Sequence, residues 1–188
     1  MLKNEVEKAL QVLKDGGIIL YPTDTIWGIG CDACNAEAVD RVFKLKGRNE
    51  AKSMIVLLDT DSKLPSYVRD VPEIAYDLIE YAENPLTIIY SGAKNLAPKT
   101  IASDGSVGIR ITRDDFCKEL IKRFKKPIIS TSANLSSQPS PANFNEISDE
   151  IIEGVDLVVD WKQGDVSIKK PSTIMKLEPD GRFIFLRK

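Results

Sequence analysis

Short apolar runs, each closed by glycine, proline or a polar cluster, alternate with amphipathic helical patterns along this chain. That rhythm narrows the fold more than any single motif. Residues 17–21 form a continuous apolar run stopped by Pro22, and residues 54–58, 86–90, 107–112, 127–130 and 155–159 repeat the pattern. Runs of this length with branched side chains read as buried strands. Between them lie helical stripes. Asn4 is placed to cap a helix over 5–14 with Val6, Leu10 and Leu13 on one face, ended by Gly16-Gly17. Asn35 caps a second over 36–46, striped by Val39, Val42 and Phe43. Pro72 opens a third to about Glu83, with Ile74, Leu78, Ile79 and Ala82 inward, and Asp114 caps a fourth through Phe124. A short helix over 147–153 ends at Gly154, and residues 172–177 and 182–186 read as a hairpin turning at Pro179-Asp180-Gly181. Residues 59–71 and 91–106 read as connections. Strands and helices alternate early and strands dominate late. The expected architecture is therefore one α/β domain over 1–188, with a twisted mixed parallel and antiparallel sheet flanked by helices.

Composition removes several chemistries. The chain has no histidine, so a Ser-His-Asp triad, a Cys-His pair and imidazole-built zinc sites are all excluded. Proton transfer must use Asp, Glu, Lys, Tyr or groups of the substrate. The 26 Lys and Arg against 28 Asp and Glu give a net charge of −2, which lends no support to nonspecific nucleic-acid binding. Cys31, Cys34 and Cys117 make an odd count, and the first residues carry both charges without an apolar stretch, which together predict reduced thiols and a cytoplasmic protein. Cys31 and Cys34 have metal-site spacing but lack a second pair, so they read as small residues around a strand end. No run reaches the length of a membrane span.

Chemistry is concentrated in five stretches. In 127–141 an apolar strand opens into Ser130, Thr131, Ser132, Asn134, Ser136, Ser137 and Ser140. Small side chains let the backbone approach an anion, and hydroxyls add donors without bulk. In 21–30, Thr23, Asp24 and Thr25 follow a strand at its carboxyl edge, where ligands of α/β sheets gather, and Gly28 and Gly30 permit close approach. A strand–turn–strand with Trp27 in the core fits that stretch equally well. In 44–52, Lys46 continues the inward stripe of its helix, either as a partner of the helix dipole or as a cation aimed into a cleft. Gly47 can take a left-handed cap and bring Arg48 beside Lys46, an arrangement suited to a polyphosphate; a solvated basic helix end is the alternative. In 106–112, Arg110 shares a strand face with Gly108 and Thr112, and the short Gly108 would leave room for a ligand. The fifth stretch is Lys170-Pro-Ser172-Thr173 with Arg187 near the end.

These stretches occur together and in order, and in that combination the chain resembles the YrdC/Sua5 family of threonylcarbamoyl-AMP synthases, in its short form. The matching residues are Tyr-Pro-Thr-Asp-Thr at 21–25, the Lys-x-Arg of Lys46 and Arg48, Ser-x-Ser-x-Asn at Ser130, Ser132 and Asn134, and Pro-Ser-Thr at 171–173. The resemblance implies an enzyme that joins L-threonine, bicarbonate and ATP into threonylcarbamoyl-AMP and pyrophosphate. Magnesium would bridge the phosphates. A separate threonylcarbamoyl-transferase complex would place the product on adenosine 37 of tRNA, with weak tRNA binding by the synthase itself a further implication. It also implies roles for residues: Thr25, Arg110, Ser130 and Ser172 on threonine; Lys46, Arg48, Lys52, the Ser106 backbone, Ser132, Asn134, Ser140 and Arg187 on ATP; and Lys46 with Arg48 at the reacting phosphate. Leu57 stands where such proteins often carry a threonine-contacting histidine, and Glu83-Asn84-Pro85 replaces a longer aromatic turn. Two other readings compete: an RNA-binding module of the same fold, and a carbamoyl-transfer domain of the kind found inside longer multidomain chains.

Overall fold

A computed structural model describes residues 1–47, 54–136, 138–167 and 170–188. Its strands are β1 (Ile19–Tyr21), β2 (Gly28–Gly30), β3 (Ile55–Leu58), β4 (Leu86–Tyr90), β5 (Val107–Ile111), β6 (Ile128–Ser132), β7 (Leu157–Val158), β8 (Thr173–Leu177) and β9 (Phe183–Arg187). Among the described residues they form one sheet in the order β7-β1-β2-β6-β3-β5-β4-β8-β9. The pairs β1–β7, β3–β5 and β4–β8 are parallel and the others antiparallel, so the expected mixed sheet is present. The helices are α1 (Leu2–Lys14), α2 (Ala36–Leu45), α3 (Leu64–Tyr67), α4 (Ile74–Glu80), α5 (Asp115–Phe124) and α6 (Asp149–Glu153).

Local chemistry explains most of these boundaries. The Asn35 side chain accepts from the N–H groups of Glu37 and Ala38 and starts α2, and the Asp114 carboxylate accepts from the N–H of Cys117 and starts α5. Gly16 and Gly47 follow the ends of α1 and α2 at φ 78° and 56°, a region that costs a side chain dearly. Three expectations need correction. Helix α1 begins at Leu2 with Met1 as its cap, so Asn4 lies inside the first turn rather than at its start. Helix α4 is shorter than the pattern over 72–83, because chain entry at Pro72 and the Asn84-Pro85 exit leave only Ile74–Glu80 helical. Residues 59–71 are not a plain connection: a 3-10 turn at Asp61–Lys63 leads into α3.

The sheet separates two apolar cores. On one face, α1 and α5 cover β1, β3 and β6 with Val6, Ala9, Leu10 and Leu13 against Phe116, Leu120, Ile121, Leu57 and Ile128. On the other, Val39, Val42, Phe43, Leu64 and Ala75 pack on Ile29, Val56, Ile88 and Ile109. Each large aliphatic or aromatic side chain removed from water contributes roughly 1.5–3 kcal/mol, so the two cores fix the alternation of every central strand. Leu57 belongs to the first core and is fully buried there.

Strand register places the polar residues of the sequence on one face. In the ladders Gly28 lies beside Ser132, Ile55 beside both Ser130 and Gly108, and Leu57 beside Arg110. Farther along, Thr87 lies beside Arg110 and Ile174, and Ile174 beside Arg187. Directly opposed residues of a ladder share a face. A diagonal band therefore runs from Gly28 through Ser132, Ser130, Ile55, Arg110 and Thr87 to Arg187. Helices α1 and α5 cover the Leu57–Ile128 part of this face and leave the rest of the band open.

Candidate active site

The open part of the band is a cavity of about 240 Å³. Thr25, Ser130, Ser132, Ser140, Ser172, Arg110 and Arg187 line it, together with Trp27, Gly28, Met54 and Ile55. Residues separated by more than 160 positions in sequence thus meet at one cavity.

Arg110 is the central cation. It is 3 % exposed, and its Nε and Nη2 N–H groups have no hydrogen-bond partner. Asp24 Oδ1 lies 3.1 Å from Nη2, close enough for an ion pair but without hydrogen-bond alignment, and that oxygen too is unpartnered. A guanidinium with two orphan donors on one edge matches a carboxylate bidentately, and orphan buried donors cost about 1–3 kcal/mol each until such a partner arrives. Arg187 also lines the cavity. Its Nε and Nη2 donate to the carbonyl of Ser172 at 3.0 and 2.8 Å, and burial, reinforced by the charge of Arg110, lowers its pKa. Two cations on one cavity make an anion site.

Hydroxyls complete the lining. Thr23 Oγ1 donates to the Ile26 carbonyl at 2.7 Å and accepts from the Thr25 N–H, which closes the turn that presents Thr25. The hydroxyls of Ser172 and Thr87 are bonded at 2.8 Å. Gly28 keeps the wall low: a Cβ there would meet Ser130 Oγ at 3.2 Å. Trp27 is buried and packs on Phe144 with ring centroids 4.9 Å apart, so it serves the core and the cavity wall at once.

Other expected site residues lie elsewhere. Lys46 is 2 % exposed and does not line the cavity; its Nζ donates to the carbonyls of Ser132 and Asn134. The Ser136 N–H in turn donates to the Lys46 carbonyl at 3.0 Å. As placed, Lys46 braces the serine-rich loop from behind. The Asn134 amide donates to the carbonyls of Leu135 and Gln138 within that loop, and its Oδ1 is buried without a partner. Both backbone groups of Ser106 are engaged: its N–H donates to Asp104 and its carbonyl accepts from Ala102. Ser106 does not line the cavity. Gly108 does not line the cavity, and a Cβ there would make ordinary contacts with Thr87 Cγ2 at 3.4 Å and Ile89 Cγ1 at 3.8 Å. Leu57 lies in the core and does not line the cavity. Arg48 and Lys52 lie outside the described residues.

The sequence reading missed the roles of Asp24 and Thr87. Only the polar run 23–25 signalled Asp24, and nothing signalled Thr87, whose place follows from register. Burial, then Asp32, raises the Cys34 thiol to about 11, and burial likewise raises Cys31 and Cys117. Among the described residues no three acidic or cysteine groups cluster to hold a metal ion. No helix of the described residues is long and apolar enough to cross a membrane.

The family model named Sua5, YciO and YrdC, described as "Telomere recombination", matches residues 11–188. The chain belongs to the Sua5/YciO/YrdC family. Threonylcarbamoyl-AMP synthase of Pseudoalteromonas translucida is 32% identical over 175 residues, covering 92% of each chain. A putative threonylcarbamoyl-AMP synthase of Methanocaldococcus jannaschii is 34% identical over 183 residues, covering 95% of this chain and 84% of that one. Among solved structures, Sua5 of P. abyssi complexed with L-threonine superposes with a TM-score of 0.85 at 23% identity, over 97% of this chain and 53% of that one. At that identity the superposition bears on the fold alone, and it agrees with the mixed sheet described above.

Proposed function

We propose that this member of the Sua5/YciO/YrdC family is a threonylcarbamoyl-AMP synthase. The observation that carries the reading is the buried Arg110, which lines a cavity of amino-acid dimensions and whose Nε and Nη2 have no hydrogen-bond partner. Close relatives bear that enzyme's name, and their substrates suit this donor set.

In this reading the carboxylate of L-threonine occupies the Arg110 fork, with Thr25, Ser130 and Ser172 around the rest of the amino acid. Bicarbonate adds to the threonine amine with loss of water, and the resulting N-carboxylate attacks the α-phosphate of ATP. One P–O bond forms as another breaks, and pyrophosphate leaves. Arg187, Ser132 and Ser140 line the same cavity and would meet the nucleotide. The chain supplies orientation and charge compensation rather than a nucleophile, which suits a site without histidine. Lys46 acts through the loop it braces, and Arg48 and Lys52 complete the phosphate contacts. Magnesium would be carried in with ATP, since no acidic side chain is among the described residues that line the cavity. The product passes to a separate transferase complex acting on tRNA in the cytoplasm.

The RNA-binding alternative finds less support. An anion cavity of about 240 Å³ suits a small molecule, and it is not a stacking platform. The deciding experiment incubates the pure protein with ATP, magnesium and bicarbonate and measures pyrophosphate release with and without L-threonine. Release that requires both threonine and bicarbonate is expected. Threonine-independent release, or none from folded protein, overturns the reading.

A further inference from the structure

We infer that Asp24 is a positioning residue that sets amino-acid affinity by compensating the Arg110 guanidinium without occupying its Nε–Nη2 fork. The inference rests on the threonine reading above. Asp24 does not line the cavity, and its carboxylate lies against Arg110. Its Oδ2 accepts from the Arg113 N–H at 3.1 Å and from Thr112 Oγ1 at 3.5 Å, so the residues immediately after β5 fix the carboxylate. Its Oδ1 faces Arg110 at 3.1 Å without alignment.

That geometry separates charge from hydrogen bonding. A buried guanidinium needs a counter-charge, and Arg187 in the same cavity adds a second cation. A carboxylate that formed two directed bonds to Arg110 would compensate it but occupy the fork. Asp24 supplies the charge while leaving Nε and Nη2 unpartnered. The donors thus stay unpaired within the protein. Thr23 and Thr25 flank Asp24 and tie their hydroxyls together at 3.0 Å, which holds the segment carrying it in one conformation.

The test is a double-mutant cycle on pyrophosphate release. Asp24→Asn keeps an acceptor for the Arg113 N–H and removes the charge. It should raise the threonine KM about tenfold while kcat and the ATP KM stay within about twofold of wild type. Placed on an Arg110→Ala background, the same change should alter the threonine KM by less than about twofold, because its effect passes through the guanidinium. Asp24→Glu, which keeps the charge on a longer stem, should fall between wild type and Asp24→Asn. If Asp24→Asn does not fold, the same cycle run with Asp24→Glu decides the matter. An unchanged or lowered threonine KM in the single variant, or effects that multiply across the cycle, would overturn the inference. Threonine-dependent release by the wild type is the control: its failure sinks the functional reading instead.

Discussion

Replacing Lys46 with methionine separates bracing from substrate contact. Methionine keeps most of the stem and removes the ammonium that donates to the carbonyls of Ser132 and Asn134. A buried carbonyl that loses its donor costs about 1–3 kcal/mol, and the saved desolvation of the ammonium offsets part of that. The Ser132 carbonyl keeps the Asn134 N–H at 2.9 Å, so the cost falls mainly on the Asn134 carbonyl, and a net loss of about 2 kcal/mol follows. At roughly 2.1 cal/mol/K of unfolding entropy per residue, 188 residues give about 0.4 kcal/mol/K, so the melting temperature should fall by about 5 °C. Calorimetry gives the shift, and pyrophosphate release gives the activity. Activity should fall with stability, since Ser132 lines the cavity on the loop that Lys46 holds. A shift under about 2 °C with activity abolished would refute the bracing argument; Lys46 would then act on substrate alone.

Arg110→Lys should raise the threonine requirement at least about thirtyfold, because a buried charge pair broken on one side costs 2–5 kcal/mol and an ammonium has no fork; a titration of pyrophosphate release with threonine checks it. Gly30→Ala should destabilise the fold by about 1–3 kcal/mol in urea unfolding, since its Cβ would sit 2.6 Å from the Ile129 carbonyl and from the buried ring of Tyr21. Gly28→Ala should change stability little and threonine KM more, because its Cβ would displace only the Ser130 hydroxyl at 3.2 Å. Asp156 is held below its ordinary 3.8, first by its hydrogen bond from Arg41, with the Ile18 N–H adding to it. A depressed carboxylate stabilises the fold above its unfolded value and loses that contribution as the pH falls through the folded value. Asp156→Asn should therefore be less stable than wild type at neutral pH, with the gap closing as the pH drops below 3.8 in melts across an acid series.

Much of the framework is local and so was legible. The caps at Asn35 and Asp114, the left-handed turn at Gly47 and the apolar runs of β3, β4, β5 and β6 are each decided by neighbours a few residues away. Strand β2 was harder: three residues around Ile29 carry too little pattern to separate a strand from a loop. The ordered motifs likewise led to the hydroxyls and to Arg110 that the cavity gathers.

What sequence determined by itself, then, was which segments become strands and helices and which polar residues are exceptional within them, because short-range sterics, capping and periodicity act within a turn or two. The tertiary structure alone decided where those residues point. Lys46 continues an inward stripe in the sequence, but only packing shows that its ammonium reaches the carbonyls of Ser132 and Asn134, 86 and 88 residues on. The sequence shows Asp24 and Arg110 as two charges far apart; the fold sets them 3.1 Å from each other without a hydrogen bond. Strand order and register settle such contacts, and they depend on the free energy of burying whole faces of the sheet at once, a quantity no local window of sequence contains.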